Sequence, residues 1–202
     1  MRAHVKLLLA SSNPGKLGEF RALAADVPTT LAEIELMQGF DSLPLFEENA
    51  PTFAENAAGK ALYYSRLGDG LVFADDSGLV VPALGGAPGV RSARYAGANA
   101  TDAERIVKLM DELRGRKGAE RAAYFLCAIA LAERGRAIAV VTARVDGEIL
   151  ESPRGAGGFG YDPVFYFPAL KKTFAELSRE EKNQISHRGK AFRKLLTSMG
   201  TS

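Results

Sequence analysis

The sequence is short of the groups that most directly announce a function. It contains one cysteine and two histidines, so no internal disulfide can form, and no ligand spacing resembles a zinc site. Its 26 basic and 24 acidic residues leave a net charge of only +2. That is too little to argue for a nucleic-acid or membrane partner, and any anion site must therefore be local. No apolar run approaches the roughly 18 residues that a spanning helix needs, and the run from His4 to Ala10 is too short for the apolar region of a signal peptide. No Gly-Lys-Ser/Thr stands at P-loop spacing, and there is no internal repeat, low-complexity tract or clear linker. These absences predict a cytoplasmic protein whose lone thiol, Cys127, is buried and inert within the apolar run from Ala122 to Leu131.

What is present suffices for a core. With 202 residues, 47% of them hydrophobic, the chain is expected to fold as a single domain over 1–202. Val5 to Ala10 reads as a buried strand that runs directly into Asn13-Pro14, a helix cap followed by proline at the first helical position. That helix carries Leu17, Phe20 and Leu23 on one stripe and ends before Pro28. A strand follows from Thr30 to Leu36, then a long polar loop from Gln38 to Pro51 bearing Glu47 and Glu48. Thr52-Phe53-Ala54-Glu55 opens a second helix, and Thr101 and Ser178 open others with the same capping signature. Arg121 to Ala132 and Ala137 to Val145 read as a hairpin, which makes the sheet mixed.

The chemistry gathers around Leu71 to Ala74, a short buried strand with Asp75 and Asp76 expected near its C-terminal end, where open α/β sheets place their ligands. Those carboxylates and Glu48 are hard oxygen ligands of the kind Mg²⁺ takes with water and substrate phosphates, although Asp-Ser-Gly is also good turn chemistry. At the first helix start, loop amides and the helix dipole can cradle a phosphate while Lys16 adds a full charge. Lys60 shares a helical side with Asn56, which turns it either to the same site or to solvent. In Gly157-Gly158-Phe159-Gly160-Tyr161-Asp162 the glycines admit a flat ligand, and Phe159 or Tyr161 offers a stacking face. Lys182 with Ser186-His187-Arg188 supplies donors for carbonyl acceptors on a base.

Taken together and in order, Ser11-x-Asn13-x-x-Lys16, Glu48-x-x-x-Thr52-Phe53-x-Glu55-Asn56, Asp75-Asp76-Ser77-Gly78-Leu79 with Leu84-Gly85-Gly86-Ala87-Pro88-Gly89, Phe159-Gly160-Tyr161-Asp162 and Ser186-His187-Arg188 resemble the motifs of the inosine triphosphate pyrophosphatase family. The resemblance covers Leu8 to Phe192. It implies an α/β fold with a long mixed central sheet flanked by helices, two lobes around a substrate groove, and a homodimer. It also implies hydrolysis of the non-standard purine nucleotides ITP, dITP and XTP to nucleoside monophosphate and pyrophosphate. Carried over by position, Ser11, Ser12, Asn13, Pro14, Gly15 and Lys16 would hold the triphosphate with help from Lys60. Glu48 and Asp76 would bind Mg²⁺, and Asp76 would be the general base. Ser77, Phe159, Gly160, Tyr161, Asp162, Lys182, His187 and Arg188 would form the nucleoside pocket. Ser11 stands where the family commonly has threonine, which keeps the hydroxyl. Glu47 adjoins Glu48, and the spacing to Thr52-Phe53 selects the latter.

Two rival readings differ in class. A pyrophosphatase for modified pyrimidine or methylated nucleotides would use similar phosphate machinery and another base pocket, and a substrate panel separates it. A nucleic-acid-binding module would use Lys182, Arg188, Lys190, Arg193 and Lys194 as a basic strip, with salt-dependent binding and no hydrolysis.

Overall fold

A strand, a capped helix and a second strand at the start of the chain form a parallel crossover unit, the connection that parallel strands require. The computed structural model describes residues 3–11, 13–26 and 30–200. β1 (Ala3–Leu9), α1 (Pro14–Ala25) and β2 (Thr30–Leu36) make that unit, with β1 parallel to β2 along its whole length. Asn13 caps α1, its side-chain oxygen accepting from Gly15 N at 2.9 Å and Lys16 N at 3.4 Å. The predicted helix stop at Pro28, and Ser12, lie outside the described residues.

The remaining strands are β3 (Leu71–Val80), β4 (Ala122–Glu133), β5 (Arg136–Ile149), β6 (Phe165–Phe167) and β7 (Lys172–Thr173). The sheet order is β2-β1-β3-β4-β5-β6-β7. β1 also runs parallel to β3, while β5 with β6 and β6 with β7 are antiparallel. The sheet is therefore mixed, as the hairpin signature indicated. The helices are α2 (Phe53–Tyr64), α3 (Asp102–Glu112), α4 (Arg179–Ile185) and α5 (His187–Gly200), with Thr52, Thr101 and Ser178 capping α2, α3 and α4. β7 went unforeseen, since a two-residue strand has no periodicity to read.

Two compact units share this chain. The first comprises Met1–Asp76, Cys127–Ala143 and Arg188–Ser202. Its core packs Leu7, Leu9, Phe20, Leu23, Phe73, Cys127, Ile129, Phe192 and Leu195, with Phe20 edge-on to Phe73 at 5.0 Å and 4.9 Å from Phe192. Truncating a ring so enclosed, Phe20→Ala for example, costs about 3 to 5 kcal/mol. Burial also pushes the Cys127 thiol above its ordinary range, which suits the inert role. The second unit comprises Ser77–Leu126 and Arg144–His187. Leu79, Leu109, Phe125, Phe165 and Phe174 fill its core, and the Phe125 and Phe165 rings lie 4.6 Å apart.

β3 corrects one expectation. It does not end before the acidic pair but continues through Asp75-Asp76-Ser77-Gly78 to Val80. Both carboxylates are held by distant side chains rather than by their own backbone, which removes the turn that Asp-Ser-Gly otherwise favours. At Gly78, a Cβ would strike Ser92 Oγ and lie 2.8 Å from Gly89 O. Ser92 Oγ accepts from Leu79 N at 2.9 Å, binding this end of the strand. The turn from Leu84 to Gly89 closes on Val80 and Val81.

Candidate active site

Successive residues of a strand point to opposite faces, and this separates two neighbouring carboxylates chemically. Asp75 is 1% exposed. Lys16, in the first turn of α1, sets its ammonium 2.8 Å from Asp75 Oδ1, and Arg188, at the start of α5, sets Nε 3.3 Å from Oδ2. The same guanidinium reaches Glu19 Oε2 on α1 through Nη1 at 2.8 Å. Burial alone would favour the neutral acid, but the charges of Lys16 and Arg188 prevail and hold Asp75 well below the usual carboxylate range.

Asp76 takes the opposite course. Burial, then the negative charge of Glu48, pushes its carboxyl up to about 6, against a side-chain hydrogen bond from Asn56 that works the other way. That bond runs from Asn56 Nδ2 to Asp76 Oδ2 at 2.9 Å. A carboxylate poised near neutrality, with a second acid close enough to raise it, is what general-base chemistry at physiological pH calls for.

Helix α2 turns both Asn56 and Lys60 toward these acidic side chains. Lys60 Nζ lies 2.6 Å from Glu48 Oε1. Although burial works against its ammonium, the charges of Glu48, Asp75 and Asp76 raise it above its ordinary value. Glu48 sits in the loop before α2, whose backbone is tied down on either side of it: Phe46 N donates to Tyr64 Oη at 3.1 Å, and Ala50 N donates to Asn56 Oδ1 at 2.9 Å.

The residues that the resemblance assigns to the triphosphate already have partners of their own. Ser11 is buried and its Oγ accepts from Asn13 N at 3.1 Å. The amides of Gly15 and Lys16 are taken by the Asn13 cap, so a bound phosphate has to displace that cap to use them.

In the second unit, Phe159 to Asp162 and Lys182 form a compact group. Asp162 is buried, and its Oδ2 accepts from Phe159 N at 2.9 Å and pairs with the Lys182 ammonium. Gly158 stands at φ 72°, where a Cβ would strike that carboxylate; only glycine admits both. Lys182 Nζ lies 4.5 Å from the centre of the Phe159 ring, within cation–π range. Of the two candidate stacking rings, Phe159 is 54% exposed, whereas Tyr161 is 4% exposed and donates its hydroxyl to Ser92 O at 2.9 Å. Gly160 N donates to Asp102 Oδ2 at 2.6 Å. His187 is buried and stacks on Phe125 at 4.7 Å, and Ser77 is half-buried on β3.

The sequence reading missed Asn56 as the partner of Asp76 and Glu19 as the second partner of Arg188. The i, i+4 relation of Asn56 to Lys60 was the available signal for the first. For Glu19 there was none, since its partner lies 169 positions away.

Among the described residues no group of three or more His, Cys, Asp or Glu side chains is disposed to hold a metal. Mg²⁺ commonly uses only one or two protein carboxylates, and the donor chemistry of Glu48 and Asp76 fits it. They are oxygen donors close enough for the charge of one to hinder ionisation of the other, a repulsion that a divalent cation relieves.

Comparison with known proteins identifies the family. The model of the Ham1 family matches residues 7–198. The chain is 54% identical to a dITP/XTP pyrophosphatase of Geobacillus kaustophilus over 190 residues, covering 94% of this chain and 92% of the relative. It is 53% identical to a dITP/XTP pyrophosphatase of Gloeobacter violaceus over 192 residues, covering 95% and 92% respectively. A solved HAM1 protein from Coxiella burnetii superposes with a TM-score of 0.87 at 43% identity, covering 98% of this chain and all of that one.

Proposed function

The chain belongs to the Ham1 family, and from that premise we propose that it hydrolyses non-standard purine nucleoside triphosphates, dITP, ITP and XTP, to the nucleoside monophosphate and pyrophosphate. The observation that carries the mechanism is the contrast on β3 between Asp75, neutralised by two cations, and Asp76, poised near neutrality beside Glu48.

Glu48 and Asp76 would hold Mg²⁺, which when bound would neutralise phosphate charge and acidify nearby water. Asp76 takes the proton from the water that attacks the α-phosphorus. The new oxygen–phosphorus bond forms as the bond from that phosphorus to the bridging oxygen breaks. Lys16 stabilises the pyrophosphate as it leaves, and Lys60 binds phosphate oxygens. Ser11 to Lys16 supply the remaining phosphate contacts, with the Asn13 cap yielding its amides.

Base recognition falls to the second unit's group, while Arg188 is held by Asp75 and Glu19. Phe159 offers the exposed stacking face, and Lys182 offers a donor for the 6-carbonyl of hypoxanthine or xanthine. Adenine presents an amino donor at that position, leaving such a group unpaired at a cost of about 1 to 3 kcal/mol each. We further place the chain in the cytosol as a homodimer. The reducing environment suits the lone buried thiol, and no described helix is long and apolar enough to cross a membrane.

The test is hydrolysis of a nucleoside triphosphate panel with and without Mg²⁺, scoring pyrophosphate against orthophosphate. Pyrophosphate from ITP, dITP and XTP is expected, far above that from ATP or GTP and only with the metal. Orthophosphate as the first product would exclude attack at the α-phosphorus.

A further inference from the structure

We propose that Lys60 is an exchangeable occupant of the metal site: its ammonium holds Glu48 while the site is empty of substrate and yields that carboxylate when a divalent cation arrives with the nucleotide. This rests on Glu48 and Asp76 being the metal ligands. Lys60 Nζ is 2.6 Å from Glu48 Oε1, and the Lys60 side chain is only 14% exposed. It is also subject to the charges of Asp75 and Asp76. Asp75 already has Lys16 and Arg188, whereas the acid that Lys60 itself bonds is Glu48, one of the pair assigned to the metal. A dication on that pair faces the ammonium as a like charge at the same carboxylate, so each weakens the hold of the other on Glu48.

The surrounding backbone makes this an exchange of side chains. Gly59, next to Lys60, lets the Phe46 ring lie so close to α2 that a Cβ there would be 2.7 Å from Phe46 Cζ. Phe46 N is bound by Tyr64, and Ala50 by Asn56. The loop carrying Glu48 is thus docked on α2 at both flanks, while the lysine stem is long and flexible. Once displaced, the ammonium finds a new partner in the phosphate oxygens, so metal and nucleotide enter together and free metal binds weakly. Lys60 thereby gives Glu48 a counter-charge while the site is empty.

The experiment measures Mn²⁺ binding to the substrate-free protein at constant ionic strength, by electron paramagnetic resonance or calorimetry. Lys60→Gln is expected to bind Mn²⁺ on the order of tenfold tighter than the parent, because a charge-assisted hydrogen bond no longer has to be broken. Lys60→Met, of similar length, should do the same. Adding Glu48→Gln to either variant should abolish the gain. Lys16→Gln, which removes an equal charge from Asp75, should change the affinity far less. Equal affinity in Lys60→Gln and the parent overturns the exchange, and so does an equal gain in Lys16→Gln, which would reduce the effect to net charge. No Mn²⁺ uptake by any variant, even with pyrophosphate present, overturns both the exchange and the metal assignment.

Discussion

Asn56 reaches from α2 to β3 and donates its side-chain amide to Asp76 Oδ2 at 2.9 Å, while its carbonyl oxygen accepts from Ala50 N. One buried side chain therefore tunes the proposed base and anchors the loop that bears Glu48. Asn56→Ala removes the contact that lowers the Asp76 pKa, so that value rises further above about 6. The acid limb of kcat/KM should move to higher pH, and stability should fall by about 1 to 3 kcal/mol for the unpaired Ala50 amide. A pH–rate profile and a denaturation curve of the variant check both effects.

Asp76→Asn should abolish turnover and yet stabilise the protein. The folded-state pKa of Asp76 is raised from 3.8 to about 6, so the folded state binds that proton more tightly than the unfolded one. The associated stability is fully present below about pH 4 and is lost as pH rises through 6. Asparagine never carries the desolvated charge, so at pH 8 the metal-free variant should be more stable, by at most about 3 kcal/mol. Urea melts at pH 5 and pH 8 measure this, with the difference widening toward the higher pH. A folded Asp76→Asn protein with near-parental activity removes Asp76 from the base role.

Asp75→Asn should do the reverse. Its carboxyl is held below the usual range, so the stability it contributes is present above about pH 4 and lost as pH falls further. At neutral pH the substitution leaves Lys16 and buried Arg188 short of a counter-charge, at a cost of about 3 to 5 kcal/mol. Thermal melts should show a lower Tm at pH 7 and a gap that narrows below pH 4.

Base selection distinguishes Lys182 from Arg188. The Arg188 guanidinium is tied to Asp75 and Glu19, so Arg188→Ala should lower Tm and reduce kcat/KM for ITP and ATP together. Lys182→Ala should narrow the ratio between them. Phe159→Ala, at an exposed ring, should leave the fold intact and weaken binding about tenfold or more through lost stacking. Steady-state kinetics on both nucleotides decide. A ratio that moves in Arg188→Ala and stays fixed in Lys182→Ala would give the base-reading role to Arg188.

Much of this was legible in the linear chain because it is written locally. Caps at Asn13, Thr52, Thr101 and Ser178 and apolar stripes on the helices are short-range signals, and they located the starts of α1, α2, α3 and α4. The mid-strand position of Asp75 and Asp76 was not legible, because Asp-Ser-Gly prefers a turn unless distant partners capture the side chains, as Lys16, Arg188 and Asn56 do. Tyr161 and Phe159 were equivalent in sequence, and tertiary packing alone put one in the core and left the other exposed. The clamp of Glu19 on Arg188 joins the two ends of the chain and has no local signature.

Cys127 makes the first unit's core observable from outside. It is the chain's one sulfhydryl, and it is fully enclosed among Leu9, Phe73 and Phe192. A thiol reagent in solution therefore reacts only in molecules whose core has opened. Its labelling rate, read across variants and with nucleotide added, reports how often the layer beneath the acidic pair comes apart.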